Sequence, residues 1–168
     1  MGKYYHYFVE GPDEEKLINT LKTDMQCIVP GKVQVFNVVQ ERLTKLRIMQ
    51  LKRGTVVILV FDTDSGNIQI LRDNIEFLKN SGIVKAVLCI TQVKNLEDEL
   101  VRSCDIRTVM ELTGSKSNKD YKHDLINDGN FAQKMRKHNF DIGKLWSKTD
   151  QGLYRGITND AGKIKLKK

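Results

Sequence analysis

The chain has 168 residues, 40% hydrophobic and 29% charged, which is the size and composition of one soluble globular domain. Its longest apolar run, around Val56 to Phe61, is much shorter than the roughly 20 residues that cross a bilayer, so we expect no membrane association. The net charge of +7 arises in the last third: residues 1–112 contain 15 basic and 15 acidic side chains, and residues 113–168 contain 13 and 6.

Strands and helices are predicted to alternate from the N-terminus. Aromatic and apolar residues up to Val9 predict a first strand, and "GPDEEKLINTLKT" predicts a helix with Pro12 at its first position. The segment "KVQVFNVV" predicts a second strand. The segment "ERLTKLRIMQLK" predicts a second helix with three apolar residues facing inward, which are Leu43, Leu46 and Met49.

Residues 55–61 are continuously apolar, which predicts a third strand covered on both faces. The segment "NIQILRDNIEFLKNSG" predicts a third helix, "IVKAVLCITQV" a fourth strand and "NLEDELVRSC" a short helix. This alternation is typical of βαβ units. We therefore predict an α/β, Rossmann-like three-layer fold with a mostly parallel central sheet over residues 1–112.

The alternation fades after residue 112, and we predict a basic C-terminal extension, residues 113–168, packed on the same domain. It contains a lysine-rich loop that enters a helix near Asp120, a basic helix at "FAQKMRKHN", and a loop with aromatic anchors at "IGKLWSKTDQGLYRG". The basic excess favours an anionic partner, with nucleic acid as the first candidate. A solubilising tail is the alternative for the final "KIKLKK".

The cysteines indicate a reducing compartment. Cys27, Cys89 and Cys104 are far apart and form no CxxC pair, which argues against a disulfide framework and against a structural zinc site. We expect Cys89 to be a buried apolar residue and the protein to be cytoplasmic.

Acidic residues follow three of the four predicted strands. Glu10 closes the first strand, Asp62 and Asp64 follow the third, and Glu97 and Glu99 come just after the fourth. Ligands of parallel sheets collect at the carboxyl ends of the strands, so these carboxylates converge if the three strands are neighbours. Close carboxylates disfavour joint ionisation unless a cation lies between them, and Mg²⁺ prefers oxygen ligands. A divalent cation site is therefore predicted.

Ordinary structural roles compete with this interpretation. The acids at residues 13–15 are explained by the positive end of the helix dipole. Asp64 or Ser65 would suit the N-cap of the third helix, although that role does not explain the presence of Asp62. Glu97 and Glu99 have exposed surface charge as their alternative.

Two segments carry a resemblance to a known family. "YFVEGPDEEKLINTLK", followed later by "VILVFDTDSGN", resembles the Toprim domain, whose pattern is a Glu in a strand-to-helix turn and an Asp-x-Asp after a later strand. Glu10, Asp62 and Asp64 match that pattern, and the resemblance covers about residues 3–100. It implies a Rossmann-like sheet, dependence on Mg²⁺ or Mn²⁺, and phosphodiester chemistry.

The resemblance extends to the overcoming-lysogenization-defect nucleases. "NLEDELV" is similar to an acidic stretch that supports a second metal there, which implies a ligand role for Glu97 and Glu99. Those nucleases also use a basic residue beyond the core, so Lys119 and Lys122 become catalytic candidates. They also carry an ATPase domain, which raises a separately encoded ATPase or other subunit as a partner.

The leading functional prediction is a Mg²⁺-dependent nuclease acting on DNA or RNA, with Glu10 as metal ligand or general base. Trp146 and Tyr154 are candidates for stacking on bases. For Trp146 we favour the other role, in which it anchors the extension on the sheet. A non-catalytic binding module and nucleotidyl transfer, as in primases, are the alternatives. The predicted nucleic-acid contacts are Lys116, Lys119, Lys122, Lys134, Arg136, Lys137, Lys144 and Lys148.

Overall fold

The computed structural model describes residues 3–166, which form an α/β fold around a four-stranded, all-parallel sheet with strand order β2-β1-β3-β4. The strands are β1 (Tyr4–Val9), β2 (Lys32–Val35), β3 (Thr55–Asp62) and β4 (Val84–Gln92). The predicted fold class is confirmed. Because β1, β3 and β4 are neighbours, the condition for the convergence of the acidic strand ends is met.

Within residues 3–166, seven α-helices connect and cover the strands. They are α1 (Pro12–Asn19), α2 (Lys45–Met49), α3 (Ile68–Lys79), α4 (Leu96–Ser103), α5 (Val109–Thr113), α6 (Asn118–Ile126) and α7 (Phe131–Lys137). α1 continues into a π-helical segment (Thr20–Asp24), and a 3₁₀ turn spans Ala161–Lys163. The short α5 was not predicted.

The sheet separates two apolar cores. Successive residues of a strand point to opposite faces, so Val57 and Leu59 of β3 enter one core and Ile58 and Val60 enter the other. All residues of β3 up to Phe61 are buried, as the continuous apolar run predicts. β3 is therefore a fixed platform for the residues at its carboxyl end.

The second predicted strand and helix are both shorter than expected. β2 ends at Val35, and α2 begins only after Thr44, whose side chain accepts a hydrogen bond from the backbone of Arg47. The inward face predicted for this helix was wrong at two positions, because Leu46 and Met49 are 76% and 60% exposed. Leu43 is buried as predicted, and the late start of α2 turns Ile48 inward instead.

The C-terminal extension packs on the core that covers one face of the sheet. Tyr121 and Leu125 of α6, Phe131 of α7 and Trp146 belong to the same apolar cluster as Val9 of β1. α6 and α7 form at the two segments where helices were predicted. The extension also reaches the edge strand β4, where the backbone of residue 160 pairs with that of residue 89.

Cys89 is buried, as predicted, and Cys27 and Cys104 are buried as well. None of the three forms a disulfide. Within residues 3–166, no helix combines the length and apolar character needed to cross a membrane.

Candidate metal centre

Two neighbouring strands bring the first two carboxylates together. β1 and β3 run parallel with Val9 opposite Val60, so the residues that follow them emerge at one edge of the sheet. The backbone N–H of Asp62 donates to Oε1 of Glu10 over 3.0 Å. Glu10, Glu14 and Asp62 each place one carboxylate oxygen within 4.8 Å of the other two. The predicted convergence of Glu10 and Asp62 is therefore present, and a third carboxylate joins them.

Glu14 is the group that the sequence reasoning missed. A helix dipole is satisfied by exposed acids, yet Asp13 and Glu14 are only 6% and 3% exposed. Gly11 leaves them room, because a Cβ there would lie 3.1 Å from Asp13 Oδ1 and 3.3 Å from Glu14 Oε2. The signal in the sequence was the position of Glu14, which lies four residues after Glu10 in the first turn of α1, with Gly11 between the two acids.

Burial and mutual repulsion oppose ionisation of the clustered carboxylates. Burial raises the pKa of Asp62 to about 8, and the charge of Glu10 adds to the effect. Burial also raises the pKa of Glu14 to about 10, together with a hydrogen bond to Asp13 and the charge of Asp13. The pKa of Glu10 is raised by burial, which the N–H of Asp62 only partly offsets. A cation among these groups would reverse the penalty.

A relay from the extension orients Asp62. Gln92, at the end of β4, donates its side-chain amide to Asp62 Oδ1 over 2.7 Å. The indole N–H of Trp146 donates to Gln92 Oε1 over 3.2 Å, which fixes the orientation of that amide. The extension thus acts on the site through neutral hydrogen bonds as well as through its charge.

Stacking on bases, the role considered for Tyr154 and as the less favoured role for Trp146, is contradicted by their burial. Both side chains are buried, and the Tyr154 hydroxyl donates to the carbonyl of Ser65 over 2.7 Å. The alternative of an anchor is correct for Trp146. Tyr154 plays a similar part, because it holds the loop that follows Asp62.

Asp64 and Glu97 lie at the rim of the cluster. Asp64 is exposed, and its carboxylate accepts from the side-chain amide of Asn95 over 3.2 Å. The capping role considered for Asp64 or Ser65 belongs to Asn67, whose side chain caps α3. The charges of Asp64 and Glu97 both contribute to the raised pKa of Asp62, so they act on the site from outside.

Glu99 has a structural environment, which corrects its predicted role as a ligand. It is 0% exposed, and Oε2 accepts from the backbone N–H of Val93 and pairs with Arg102 at 2.9 Å. Oε1 accepts from the backbone N–H of Trp146 over 3.0 Å. Both oxygens are engaged by protein donors, so we exclude Glu99 from the candidate site.

Lys122 is the candidate base that reaches the acidic cluster. Its ammonium lies 3.8 Å from Asp13 Oδ2, with the side chain 62% exposed. Partial burial alone would lower the pKa of Lys122, but the charges of Asp13, Glu97, Glu14 and Asp62 outweigh it and raise that pKa. α6 therefore brings a positive charge against the acidic cluster.

The other predicted basic contacts lie on the surface. Lys134 pairs with Asp128 at 2.7 Å, and Arg136 donates to the carbonyl of Asp24. The remaining members are exposed, namely Lys116, Lys119, Lys137, Lys144 and Lys148. They are accessible to an anionic partner.

The donor set fits a hard divalent cation. Glu10, Glu14 and Asp62 offer carboxylate oxygens only. Mg²⁺ and Mn²⁺ prefer such oxygen ligands, whereas zinc sites are typically built from Cys and His.

Comparisons with protein families, with curated proteins and with solved structures found no match to the chain.

Proposed function

We propose that the protein is a Mg²⁺- or Mn²⁺-dependent nuclease that hydrolyses phosphodiester bonds of DNA or RNA. The observation that carries the proposal is the convergence of Glu10, Glu14 and Asp62 at the carboxyl edge of the sheet. Their raised pKa values mean that the folded chain disfavours ionisation of all three carboxylates, a penalty that a bound divalent cation would reverse. The resemblance of the same segments to the Toprim domain supports this assignment.

Three carboxylates have defined roles in this proposal. Glu10, Glu14 and Asp62 would hold the metal, and Glu10 would act either as a ligand or as the base that accepts a proton from an attacking water. The bound ion supplies Lewis-acid stabilisation of the phosphoryl group and lowers the pKa of a water molecule. Asp64 and Glu97 strengthen the negative potential at the rim, where they would favour a second ion.

The basic residues give the proposal its substrate class. Lys122 stands beside the acidic cluster, where its ammonium would meet a phosphate that the cluster alone would repel. The exposed lysines of the extension would contact the nucleic-acid backbone in a salt-dependent manner. A cytoplasmic location and a separately encoded ATPase subunit as a partner belong to the same proposal.

The test is cleavage of labelled DNA and RNA by the purified chain in Mg²⁺, Mn²⁺ or EDTA. We expect cleavage with either metal, none in EDTA, and none from the Glu10→Gln or Asp62→Asn variants. Asp73→Asn is the matched control, because Asp73 is a surface carboxylate that pairs with Arg42.

Two results would contradict the proposal in different ways. Cleavage that survives EDTA or either site substitution would remove the metal mechanism. Metal-independent binding of nucleic acid without cleavage under any condition would favour a non-catalytic binding module.

A further inference from the structure

One buried tyrosine hydroxyl has no partner within the described part of the chain. Three tyrosines are fully buried there, and two of them donate to backbone carbonyls: Tyr7 to Val29 over 2.6 Å, and Tyr154 to Ser65 over 2.7 Å. Tyr121 is 2% exposed, and its hydroxyl makes no hydrogen bond. An unpaired buried hydroxyl destabilises a protein, so its presence needs a reason.

The helix that carries this hydroxyl packs beside the acidic residues of α1. Tyr121 lies on α6, which packs along α1, the helix that carries Asp13 and Glu14. After burial, the carboxylates that most raise the pKa of the phenol are Glu97, Asp13, Glu14 and Asp62. The next residue, Lys122, pairs with Asp13. One turn of α6 therefore presents a neutral donor and a cation to the same set of carboxylates.

The carboxylates themselves do not satisfy the hydroxyl. None of them accepts a hydrogen bond from Tyr121, although a phenol beside a carboxylate is a favourable pair. A phenylalanine would fill the same space in the core without the unpaired group. The donor of this hydroxyl is thus left unused by the described chain, and Lys122, the next residue, indicates that an acceptor bound here would be negatively charged.

We infer that the Tyr121 hydroxyl donates a hydrogen bond to a non-bridging oxygen of the phosphate group that the metal-loaded cluster binds. This inference rests on the proposed function, because it assigns a substrate-binding residue to the same site. The phenol keeps its proton and acts only as a donor, so no covalent step passes through it. Lys122 supplies the charge, and Tyr121 fixes the orientation of the phosphate.

The test compares Tyr121→Phe with wild type and with Tyr7→Phe. Thermal melting is measured in EDTA, in Mg²⁺, and in Mg²⁺ with inorganic phosphate. We expect Tyr121→Phe to melt at or above the wild-type temperature in EDTA and to keep the shift caused by Mg²⁺. The additional shift caused by phosphate should be lost. Tyr7→Phe should melt lower in EDTA and keep both shifts, because its hydroxyl is already satisfied.

A second readout uses hydrolysis of bis-p-nitrophenyl phosphate, a small phosphodiester. Tyr121→Phe should lower kcat/KM about 10- to 100-fold, the loss of one hydrogen bond to a charged group. Lys122→Met, at an exposed position of the same helix, should also weaken the phosphate-dependent shift while the fold is retained.

The outcomes separate this inference from the proposed function. If wild type hydrolyses no substrate but its melting-temperature shift with phosphate depends on Tyr121, the result would support the inference and contradict the proposed nuclease activity. If phosphate raises the melting temperature of wild type and of Tyr121→Phe equally, or raises neither, the inference is overturned. A melting temperature of Tyr121→Phe in EDTA as low as that of Tyr7→Phe would also overturn it, because the hydroxyl would then have a structural partner such as a buried water.

Discussion

Two groups of buried carboxylates lie close together in this protein, and their surroundings are opposite. Glu99 is enclosed by donors: two backbone N–H groups and the guanidinium of Arg102. Glu14 and Asp62 face mainly other carboxylates, with one amide from Gln92 on Asp62. Burial raises the pKa of all three. For Glu99 the backbone N–H of Val93, the guanidinium of Arg102 and the backbone N–H of Trp146 each offset part of that rise.

The difference distinguishes a structural acid from a functional one. A buried carboxylate with a full set of donors stabilises the fold, whereas a buried cluster of carboxylates without cations destabilises it. Burial alone does not separate the two cases, because Glu14 and Glu99 are both nearly inaccessible. The hydrogen-bond and charge partners of each carboxylate oxygen separate them.

The largest expected effect concerns activity at the uncompensated cluster. Asp62→Asn should lower cleavage about 1,000-fold or more, because the metal contributes several kcal/mol to transition-state stabilisation and each 1.4 kcal/mol is tenfold. Single-turnover cleavage of a labelled oligonucleotide in Mg²⁺ measures the effect. A variant within tenfold of wild type would show that Asp62 does not hold the ion.

The next effect concerns stability and has opposite signs at the two sites. Glu99→Ala should lower the free energy of unfolding by about 3–5 kcal/mol, because it removes the carboxylate that pairs with Arg102 and leaves two backbone N–H groups without their acceptor. Glu14→Gln should raise the free energy of unfolding in EDTA, because the neutral amide removes a buried acid. Urea denaturation measures both effects. If the two variants lose the same free energy of unfolding, the proposed difference between the two sites is contradicted.

The pH dependence of stability in EDTA follows from the raised pKa values. The pKa of Asp62 is raised from 3.8 to about 8 and that of Glu14 from 4.5 to about 10. Between these values the folded chain keeps a proton that the unfolded chain has lost. Rising pH therefore favours unfolding, by up to about 1.4 kcal/mol per pH unit for each group.

Comparison with variants isolates that contribution. Asp62→Asn should lose less stability than wild type between pH 5 and about 8, and Glu14→Gln should do so up to about 10. Added Mg²⁺ should flatten the wild-type profile, since bound metal favours the ionised carboxylates. Denaturant melts across this pH range measure the slopes, and parallel profiles for wild type and variants would contradict the assigned pKa shifts.

The smallest effect concerns the relay that joins the extension to the cluster. Trp146→Phe keeps an aromatic ring but removes the donor to Gln92 Oε1, so it should lower stability by about 1 kcal/mol. Gln92 then orients Asp62 less firmly, and cleavage should fall a few-fold. Urea melts and cleavage rates measure the two effects. A rate loss as large as that of Asp62→Asn would show that the relay is part of the site itself.

The sequence was sufficient to predict the fold class and two of the three clustered carboxylates. Parallel strands put their carboxyl ends at one edge, so Glu10 and Asp62 had to meet once β1 and β3 were neighbours. This inference needed only strand direction and order. It did not depend on how any side chain is packed.

Packing decided what the sequence left open. Glu14 reads as an ordinary helix N-terminal acid, because its burial depends on α6, which lies more than a hundred residues away along the chain. Glu99 reads as a possible ligand, because its partner Trp146 lies 47 residues further along the chain. Leu46 was misplaced because the helix begins later than its apolar pattern indicates.

The central claim is that Glu10, Glu14 and Asp62 together bind one divalent cation, and titration calorimetry with Mn²⁺ tests it most directly. We predict saturable binding with proton release by wild type and by Asp73→Asn, and an affinity at least about 10- to 100-fold lower for Glu14→Gln. No binding by wild type, or equal affinity for wild type and Glu14→Gln, would contradict the account.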